Sequence, residues 1–291
     1  QRAGELSRHF ASMVAQPTAR RRSFIDTEGS SVRNRCQNGG STMTETPTFI
    51  VIGATGGIGS PLSRSLSASG ARLGIAARNA ERLDALSTEI DAAASATLDA
   101  TSFDEVDNFV KSVAQETGHV DGIVNCVGSI LLKPAHATSE QQWRSTIASN
   151  LDSAFATVRA GAKAMSRGGG SIVLMASAAA RVGLPSHEAI AAAKAGVIGL
   201  GRSAAATYAG KGIRVNVVAP GLVDTPMSAG ITGNPMMLKA SEAMHPLGRI
   251  GQPEEVAQVI AWLLGAESSW VTGQVIGIDG GLADVRGKTS A

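Results

Sequence analysis

The sequence is poor in aromatic residues and contains only two cysteines and one tyrosine. Aromatic side chains make up 3% of the 291 residues, while 43% are hydrophobic, so we expect a core of small and aliphatic side chains. Cys36 and Cys126 stand in unrelated contexts, which excludes a disulfide framework, a cysteine metal cluster and a C-x-x-C redox motif. No apolar run approaches the roughly 20 residues that a membrane span needs.

A strong excess of charge is also missing, because the formal net charge is +2. Much of the positive charge lies in the first 42 residues, and no basic stripe with interleaved aromatic residues follows them. The sequence therefore argues against nucleic-acid binding. No cluster of metal-ligand residue types stands out, so we expect no metal site.

Residues 1–45 differ in composition from the rest of the chain. They are rich in arginine and serine and poor in acidic residues, and we expect them to be disordered. One interpretation is an organelle-targeting segment, and the other is a leader upstream of Met43. The expected location is therefore the cytoplasm, or an organelle matrix if the segment is a targeting signal.

From residue 46 onward the sequence alternates short apolar runs with amphipathic segments of helical periodicity. This alternation predicts βαβ units and hence a parallel sheet. We expect one Rossmann-type, doubly wound α/β domain of about seven strands over residues 46–285, followed by a short tail at 286–291. Between residues 139 and 165 the pattern predicts a single continuous helix.

A glycine-rich turn after the first apolar run is the clearest local motif. Gly53, Gly57 and Gly59 separate a predicted strand from a predicted helix. Such a turn lets the backbone approach a ligand closely, and free N–H groups at a helix N-terminus attract anions. A dinucleotide pyrophosphate fits these requirements, although an ordinary glycine-rich turn has the same composition.

Polar, small or turn-forming residues follow the other predicted strands. Because ligands of parallel sheets bind at the carboxyl ends of the strands, we expect these residues to form one site. They are Arg78, Asp99, Asn125, Val127, Gly128, Ser177, Pro220 and Gly221. At the end of the second strand, Ala77 stands where an NAD-binding fold usually carries a carboxylate, and Arg78 follows it; a guanidinium pairs well with a 2′-phosphate. NADP(H) is therefore favoured over NAD(H).

These motifs, in this order, resemble the classical short-chain dehydrogenase/reductase family over residues 46–283. The resemblance includes the turn from Gly53 to Gly59, the Asn125–Gly128 stretch, Asn150, Ser177, Lys194 and the Pro220-Gly221 pair. The 3-oxoacyl-carrier-protein reductase branch is the most similar.

The resemblance implies hydride transfer between NAD(P)H and a carbonyl. By it, Thr55 and Ile58 in the turn contribute to the cofactor site, and Val223 and Thr225 contact the nicotinamide amide. Lys194 orients the cofactor, Ser177 holds the substrate oxygen, and Asn150 supports a chain of waters.

One position departs from the family pattern. The family has a tyrosine four residues before the lysine, and here that position is Ile190, which has no proton to donate. His187 precedes Ile190 by about one helical turn, and its spacing to Lys194 matches the Tyr–x6–Lys spacing of the related enoyl reductases. His187 is therefore the candidate substitute acid, with a structural turn residue as the alternative.

Two functions remain open on this evidence. One is a reductase of a carbonyl or enoyl substrate with a relocated acid, and the other is a catalytically silent NADP-binding sensor or assembly subunit. The stretch from Met227 to Pro246 resembles the mobile substrate loop of the family, and its methionines suggest an apolar substrate. The alternative is a flexible lid that packs on the core. The family resemblance further implies a homodimer or homotetramer.

Overall fold

The computed structural model describes residues 46–286. The predicted leader, and the tail from residue 287 onward, lie outside the described residues.

Seven parallel strands form one sheet in the order β3-β2-β1-β4-β5-β6-β7. In chain order the strands are β1 (Thr48–Ile52), β2 (Arg72–Ala77), β3 (Ala94–Thr97), β4 (Gly122–Asn125), β5 (Gly170–Met175), β6 (Ile213–Pro220) and β7 (Val275–Ile278). Most residues of β1, β2, β4, β5 and β6 are buried, as expected for a parallel sheet with both faces covered.

Helices cover both faces of the sheet. In chain order they are α1 (Gly59–Ala68), α2 (Ala80–Ile90), α3 (Phe103–Thr117), α4 (Glu140–Ile147), α5 (Ser153–Ala164), α6 (Glu188–Tyr208), α7 (Ala229–Thr232), α8 (Pro235–Met244) and α9 (Pro253–Leu264). Residues of α3, α5 and α6 build the hydrophobic core on one face. Residues of α1, α2 and α9 build the core on the other face.

The predicted Rossmann-type fold is confirmed, but the single helix predicted between residues 139 and 165 is wrong. The chain there forms α4, then a π-helical turn over Ala148–Asp152, then α5. Within the turn, the Asn150 amide donates to the Thr146 carbonyl, four residues back, at 2.9 Å. A side chain that occupies a helical carbonyl competes with the backbone N–H that would otherwise use it.

Strand order places the crevice of the molecule beside β1. The chain moves outward from β1 to β2 and β3, and then returns to the other side of β1 at β4. Crossovers leave in opposite directions at this point, which opens a cleft at the carboxyl ends of the strands. Among the described helices, none has the length and apolarity required to cross a bilayer.

Candidate active site

The turn between β1 and α1 presents unpaired backbone donors. Gly53 adopts a φ of 85°, which an L-residue with a side chain rarely takes. The N–H groups of Thr55, Gly57 and Ile58 donate to no acceptor within residues 46–286. Three such donors at the N-terminus of α1 are suited to an anion such as a pyrophosphate.

Two glycines of this turn lie so close to other parts of the chain that a side chain would not fit. A Cβ on Gly57 would lie 2.6 Å from the Cβ of Thr225, in the loop after β6. A Cβ on Gly59 would lie 2.3 Å from the carbonyl oxygen of Gly53. Gly57 therefore lets the turn meet the loop across the cleft, and Gly59 lets α1 start directly beneath the turn.

A first cavity of about 440 Å³ begins at this turn and extends past the ends of β2 and β3. Of the predicted cofactor residues, those lining it are Gly53, Thr55, Gly57, Arg78, Asp99, Val127 and Gly128.

Two arginines border the first cavity, where the sequence pointed to only one. Arg78 and Arg82 both line it, are exposed, and have guanidinium groups that form no hydrogen bond or ion pair with any residue in the described range. The first turn of α2 brings them together, because Asn79 caps it by accepting from the Arg82 N–H at 2.8 Å. Two unpaired guanidinium groups at one rim can together bind a phosphate.

Asp99 has a structural use as well as a place in this cavity. One carboxylate oxygen accepts from both the N–H and the hydroxyl of Thr101 at 2.9 Å, which shapes the loop after β3. The other oxygen remains available to a ligand.

A second, smaller cavity of about 150 Å³ continues from the first. The predicted site residues that line it are Ile58, Val127, Gly128, Asn150, Ser177, Lys194, Pro220, Gly221, Val223 and Thr225. Both cavities share the wall Cys126–Ser129, so they form one cleft.

Lys194 is the cationic side chain that lines the second cavity. It projects from α6, is 6% exposed, and donates from Nζ to the Met175 carbonyl at 2.8 Å. Burial lowers the pKa of Lys194 to about 8, against a smaller opposing effect of Cys126. Burial likewise raises the pKa of the Cys126 thiol to about 12, so this thiol is protonated and unreactive at neutral pH.

Asn150 closes the floor of the cavity, held by the π turn. Its amide donates to the Ser129 hydroxyl at 2.9 Å, and its carbonyl accepts from the Ser129 N–H at 3.2 Å. A Cβ on Gly128 would lie 2.9 Å from this carbonyl and 3.4 Å from the Lys194 Nζ. Glycine at that position therefore lets Asn150 and Lys194 approach the same point.

Ser177 follows β5 and presents a hydroxyl. Its Oγ accepts from the Ala179 N–H at 3.2 Å and caps a short 3-10 helix. Because the oxygen acts as acceptor there, the hydroxyl proton remains free to be donated to a substrate oxygen.

A third cavity of about 300 Å³ lies beyond Ser177, beneath the lid formed by α7 and α8. Five residues line both this cavity and the second one, namely Ile130, Ser177, Ile190, Gly221 and Leu222. Ile190 is 5% exposed and belongs to that common wall.

His187 lies in the third cavity and is absent from the lining of the second. Its Nδ1 is 2.8 Å from the Pro185 carbonyl oxygen. A carbonyl can only accept, so Nδ1 carries a hydrogen and Nε2 is the free ring nitrogen. His187 and Ile190 thus line the same cavity.

Two predicted cofactor residues have other roles in the structure. The Asn125 amide donates to Ser153 and Thr157 on α5, and its carbonyl accepts from the Val127 N–H at 2.8 Å. Its side chain points away from the cleft and fixes the loop after β4. Gly59 lines neither of the first two cavities, and its lack of a side chain serves packing.

Three functional candidates escaped the sequence analysis: Arg82, Ser129 and His245. Arg82 carries a usable signal, since it follows Arg78 by four residues at a helix start. The pairing of Ser129 with Asn150 and the burial of His245 depend on tertiary contacts. No group of three or more His, Cys, Asp or Glu side chains in the described part of the chain is arranged to hold a metal ion.

Comparison with known proteins agrees with this architecture. Residues 53–283 match the family model described as enoyl-(acyl carrier protein) reductase. The chain is 37% identical over 238 residues to 3-oxoacyl-(acyl-carrier-protein) reductase FabG of Thermotoga maritima, covering 80% of this chain and 96% of that protein. It is 35% identical over 237 residues to D-threitol dehydrogenase of Mycolicibacterium smegmatis, covering 80% and 91%.

A solved structure, an actinorhodin polyketide ketoreductase with NADPH, matches with a TM-score of 0.78 and 31% identity. The match covers 82% of this chain and 98% of the ketoreductase. Fold, cleft and sequence relatives agree: the chain belongs to the classical short-chain dehydrogenase/reductase family and is an oxidoreductase with an NAD(P)-binding Rossmann fold.

Proposed function

We propose that this protein is an NADP(H)-dependent reductase acting on the carbonyl, or the activated double bond, of an apolar substrate. The observation that carries the proposal is the common wall between the second and third cavities. Ser177 belongs to that wall, and Lys194 lines the smaller of the two cavities. A substrate oxygen at this junction would meet the Ser177 hydroxyl while its apolar part lies under the lid.

The cleft fits a dinucleotide. Unpaired donors of the β1–α1 turn suit the pyrophosphate, and a Cβ at Gly57 would close the passage beside it. Arg78 and Arg82 suit a 2′-phosphate, which NADP carries and NAD lacks. When bound, the cofactor supplies the hydride.

The chain's own residues position the substrate and handle the proton. Ser177 donates to the substrate oxygen, and Lys194 supplies positive charge beside it. Asn150 is hydrogen-bonded to Ser129. In this proposal it lies beside the path along which protons from solvent reach the Lys194 ammonium. Because the pKa of Lys194 is about 8, we expect turnover to fall as the pH rises above that value.

His187 remains our candidate acid, under a condition that its geometry imposes. Since Nδ1 already carries a hydrogen for the Pro185 carbonyl, Nε2 carries a proton only in the imidazolium form. Proton donation from Nε2 therefore requires that form of the ring.

An apolar substrate is supported by the lining of the third cavity. Most of its residues are aliphatic or methionine, and none of the described residues lining it is Asp, Glu, Lys or Arg. The polar groups there are Ser177, Ser241 and the two histidines. A charged substrate group would find no lysine, arginine or carboxylate partner inside this cavity.

The second candidate is a catalytically silent NADP-binding subunit. The observation in its favour is Ile190, because this side chain has no proton to give at the position where the family resemblance implies a tyrosine. Under both candidate functions the protein binds NADP(H), but only the reductase converts a substrate.

The first test measures cofactor binding by the full chain. We expect NADPH to bind more tightly than NADH, and Arg78→Ala with Arg82→Ala to remove most of the difference. Gly57→Ala should abolish binding of both cofactors, because its Cβ meets Thr225. Gly183→Ala, where the added Cβ meets nothing within 4 Å, is the matched control. Equal binding of the two cofactors by the wild type would contradict the NADP preference.

The second test follows NADPH oxidation with apolar ketones, quinones and enoyl thioesters. Loss of turnover in Lys194→Ala, Ser177→Ala and His187→Asn would support the relocated acid, since asparagine keeps the hydrogen bond to Pro185 but lacks Nε2. Turnover that persists in His187→Asn would remove His187 as the donor. Tight NADPH binding with no turnover on any substrate class would favour the silent subunit.

A further inference from the structure

His245 is a buried histidine directly after the lid helix α8, and it is 3% exposed. Its Nδ1 lies 2.6 Å from the carbonyl oxygen of Ser241, in the last turn of α8. Its Nε2 accepts from the N–H of Leu222, in the loop after β6, at 3.2 Å. A single imidazole therefore connects two segments that border the cleft.

The two partners fix the chemical state of this ring. The Ser241 carbonyl only accepts, so Nδ1 carries the hydrogen. The Leu222 N–H only donates, so Nε2 offers a lone pair. His245 is the neutral Nδ1–H tautomer, and both ring nitrogens are satisfied.

Each partner belongs to a functional surface. Ser241, with Met237 and Met244 on α8, lines the third cavity. Leu222 belongs to the segment 221–225, of which Gly221, Leu222, Val223 and Thr225 line the second cavity. The ring joins the substrate side of the cleft to its nicotinamide side.

Packing shows that the connection is close. A Cβ on Gly221 would lie 2.6 Å from the His245 Nε2, so the imidazole rests on the backbone of the loop. Other bonds attach the loop to the body of the fold: Gly221 N–H donates to Ile278 at 3.1 Å, and Asp224 N–H donates to Gly251 at 3.0 Å. His245 adds an attachment from the loop to the lid.

We propose that His245 is a positioning residue that couples the lid helix α8 to residues 221–225, so that lid position and binding of the nicotinamide half of the cofactor depend on each other. This inference rests on the proposed function, because it assigns the nicotinamide to the second cavity. His245 acts through Leu222 and Ser241 and needs no contact with the reacting atoms.

Two conservative variants separate the two halves of the bridge. His245→Gln places an oxygen near the position of Nε2, and so keeps an acceptor for the Leu222 N–H while losing the donor to Ser241. His245→Asn places an amide near the position of Nδ1, and so keeps the donor to Ser241 while leaving the Leu222 N–H unpaired. His136→Asn, at an exposed histidine, is the matched control.

The first readout is ligand binding by the full chain, with NADPH and with 2′-phospho-ADP-ribose, which lacks the nicotinamide. We expect His245→Asn to raise the Kd for NADPH about tenfold, the effect of one unpaired buried donor, with little change for 2′-phospho-ADP-ribose. His245→Gln should bind both ligands nearly as the wild type does. Equal weakening of both ligands in His245→Asn would mean a general structural defect and would overturn the proposal.

The second readout is amide hydrogen exchange, which needs no substrate. In the wild type and in His136→Asn, saturating NADPH should slow exchange in α8. In both His245 variants this effect should be lost, while their melting temperatures show that they remain folded. Undiminished protection of α8 in either variant would overturn the coupling. A wild type that binds neither ligand would overturn the proposed function. By contrast, unchanged exchange of the Leu222 N–H in apo His245→Asn would overturn only the proposed connection of His245 to Leu222.

Discussion

At the scale of single residues, Ile190 bears on our proposal for how a proton reaches the substrate. It occupies the wall between the second and third cavities, beside Ser177 and within one helical turn of Lys194. By the resemblance to the Tyr–x–x–x–Lys pattern a phenol is expected at this point, whereas isoleucine has no proton to donate.

Restoring the phenol should therefore increase turnover. We predict that Ile190→Tyr accelerates carbonyl reduction by about 10- to 100-fold, since general acids contribute about 10²–10⁴. Ile190→Phe is the matched control, because it has the same ring without the hydroxyl. NADPH oxidation with one ketone measures both variants, and equal rates would show that the missing hydroxyl does not limit turnover.

Lys194 should reduce the stability of the fold that it serves. Its folded pKa of about 8 lies below the ordinary 10.5 of the unfolded chain, so burying the ammonium has a free-energy cost wherever both states are protonated, below about pH 8. Between these two values the unfolded chain holds a proton that the folded protein has released, so stability rises with pH.

We predict that Lys194→Met increases the free energy of unfolding at pH 7 by about 1–3 kcal/mol and abolishes the rise in stability between pH 8 and pH 10. Urea unfolding at several pH values measures this, with Lys211→Met on the surface as control. A less stable Lys194→Met at pH 7 would mean that the hydrogen bond to Met175 outweighs the cost of burial.

At the scale of secondary-structure elements, helices approach the sheet closely because small residues face it. The buried side of α5 carries Ala154, Ala156 and Ala160, and a Cβ on Gly161 would lie 2.6 Å from the Ile123 side chain of β4. This close packing agrees with the low aromatic content of the sequence, because small side chains leave little space between helix and sheet.

We predict that Gly161→Ala lowers the free energy of unfolding by about 1–3 kcal/mol, because the added methyl group overpacks the interface between α5 and β4. Gly168→Ala, with no atom within 4 Å of its added Cβ, should leave stability nearly unchanged. Thermal or urea unfolding of both variants checks the pair. Equal stability would show that α5 can shift outward without cost.

Some secondary-structure elements could be predicted from the sequence, and others could not. Helical periodicity predicted the alternation of strands and helices that the fold shows, since amphipathic faces and capping residues are local properties. The π turn at Ala148–Asp152 could not be predicted from the local sequence, because these five residues include neither glycine nor proline. Asn125 was assigned to the cofactor because a strand end does not reveal to which side a side chain turns. The histidine bridge at His245 depends on contacts across more than twenty residues.

At the scale of the whole molecule, large apolar side chains lie on the surface. All three tryptophans are exposed, Trp270 by 98%, and Phe155 on α5 is 46% exposed. Exposed aromatic residues in a chain with so few of them are typical of contact surfaces.

We predict that the full chain self-associates and that Phe155→Glu shifts it toward smaller species. Light scattering across a concentration series measures this, with Asp84→Arg on the exposed face of α2 as a control for added charge. A wild-type chain that stays monomeric at high concentration would contradict the expected homodimer or homotetramer.

The position of β1 in the sheet also bears on how the chain folds as it is synthesised. One neighbour, β2, follows within the same βαβ unit, but the other side of β1 stays open until β4 is made. The hydrogen bond that joins the start of β1 to the residue before β4 spans 73 positions. On a ribosome, β1, β2 and β3 can assemble first, with an unpaired apolar strand edge exposed in the meantime. Bringing β4 next to β1 costs chain entropy before the contacts between the two strands form. We therefore expect the pairing of β1 with β4 to be a slow, rate-limiting step of folding.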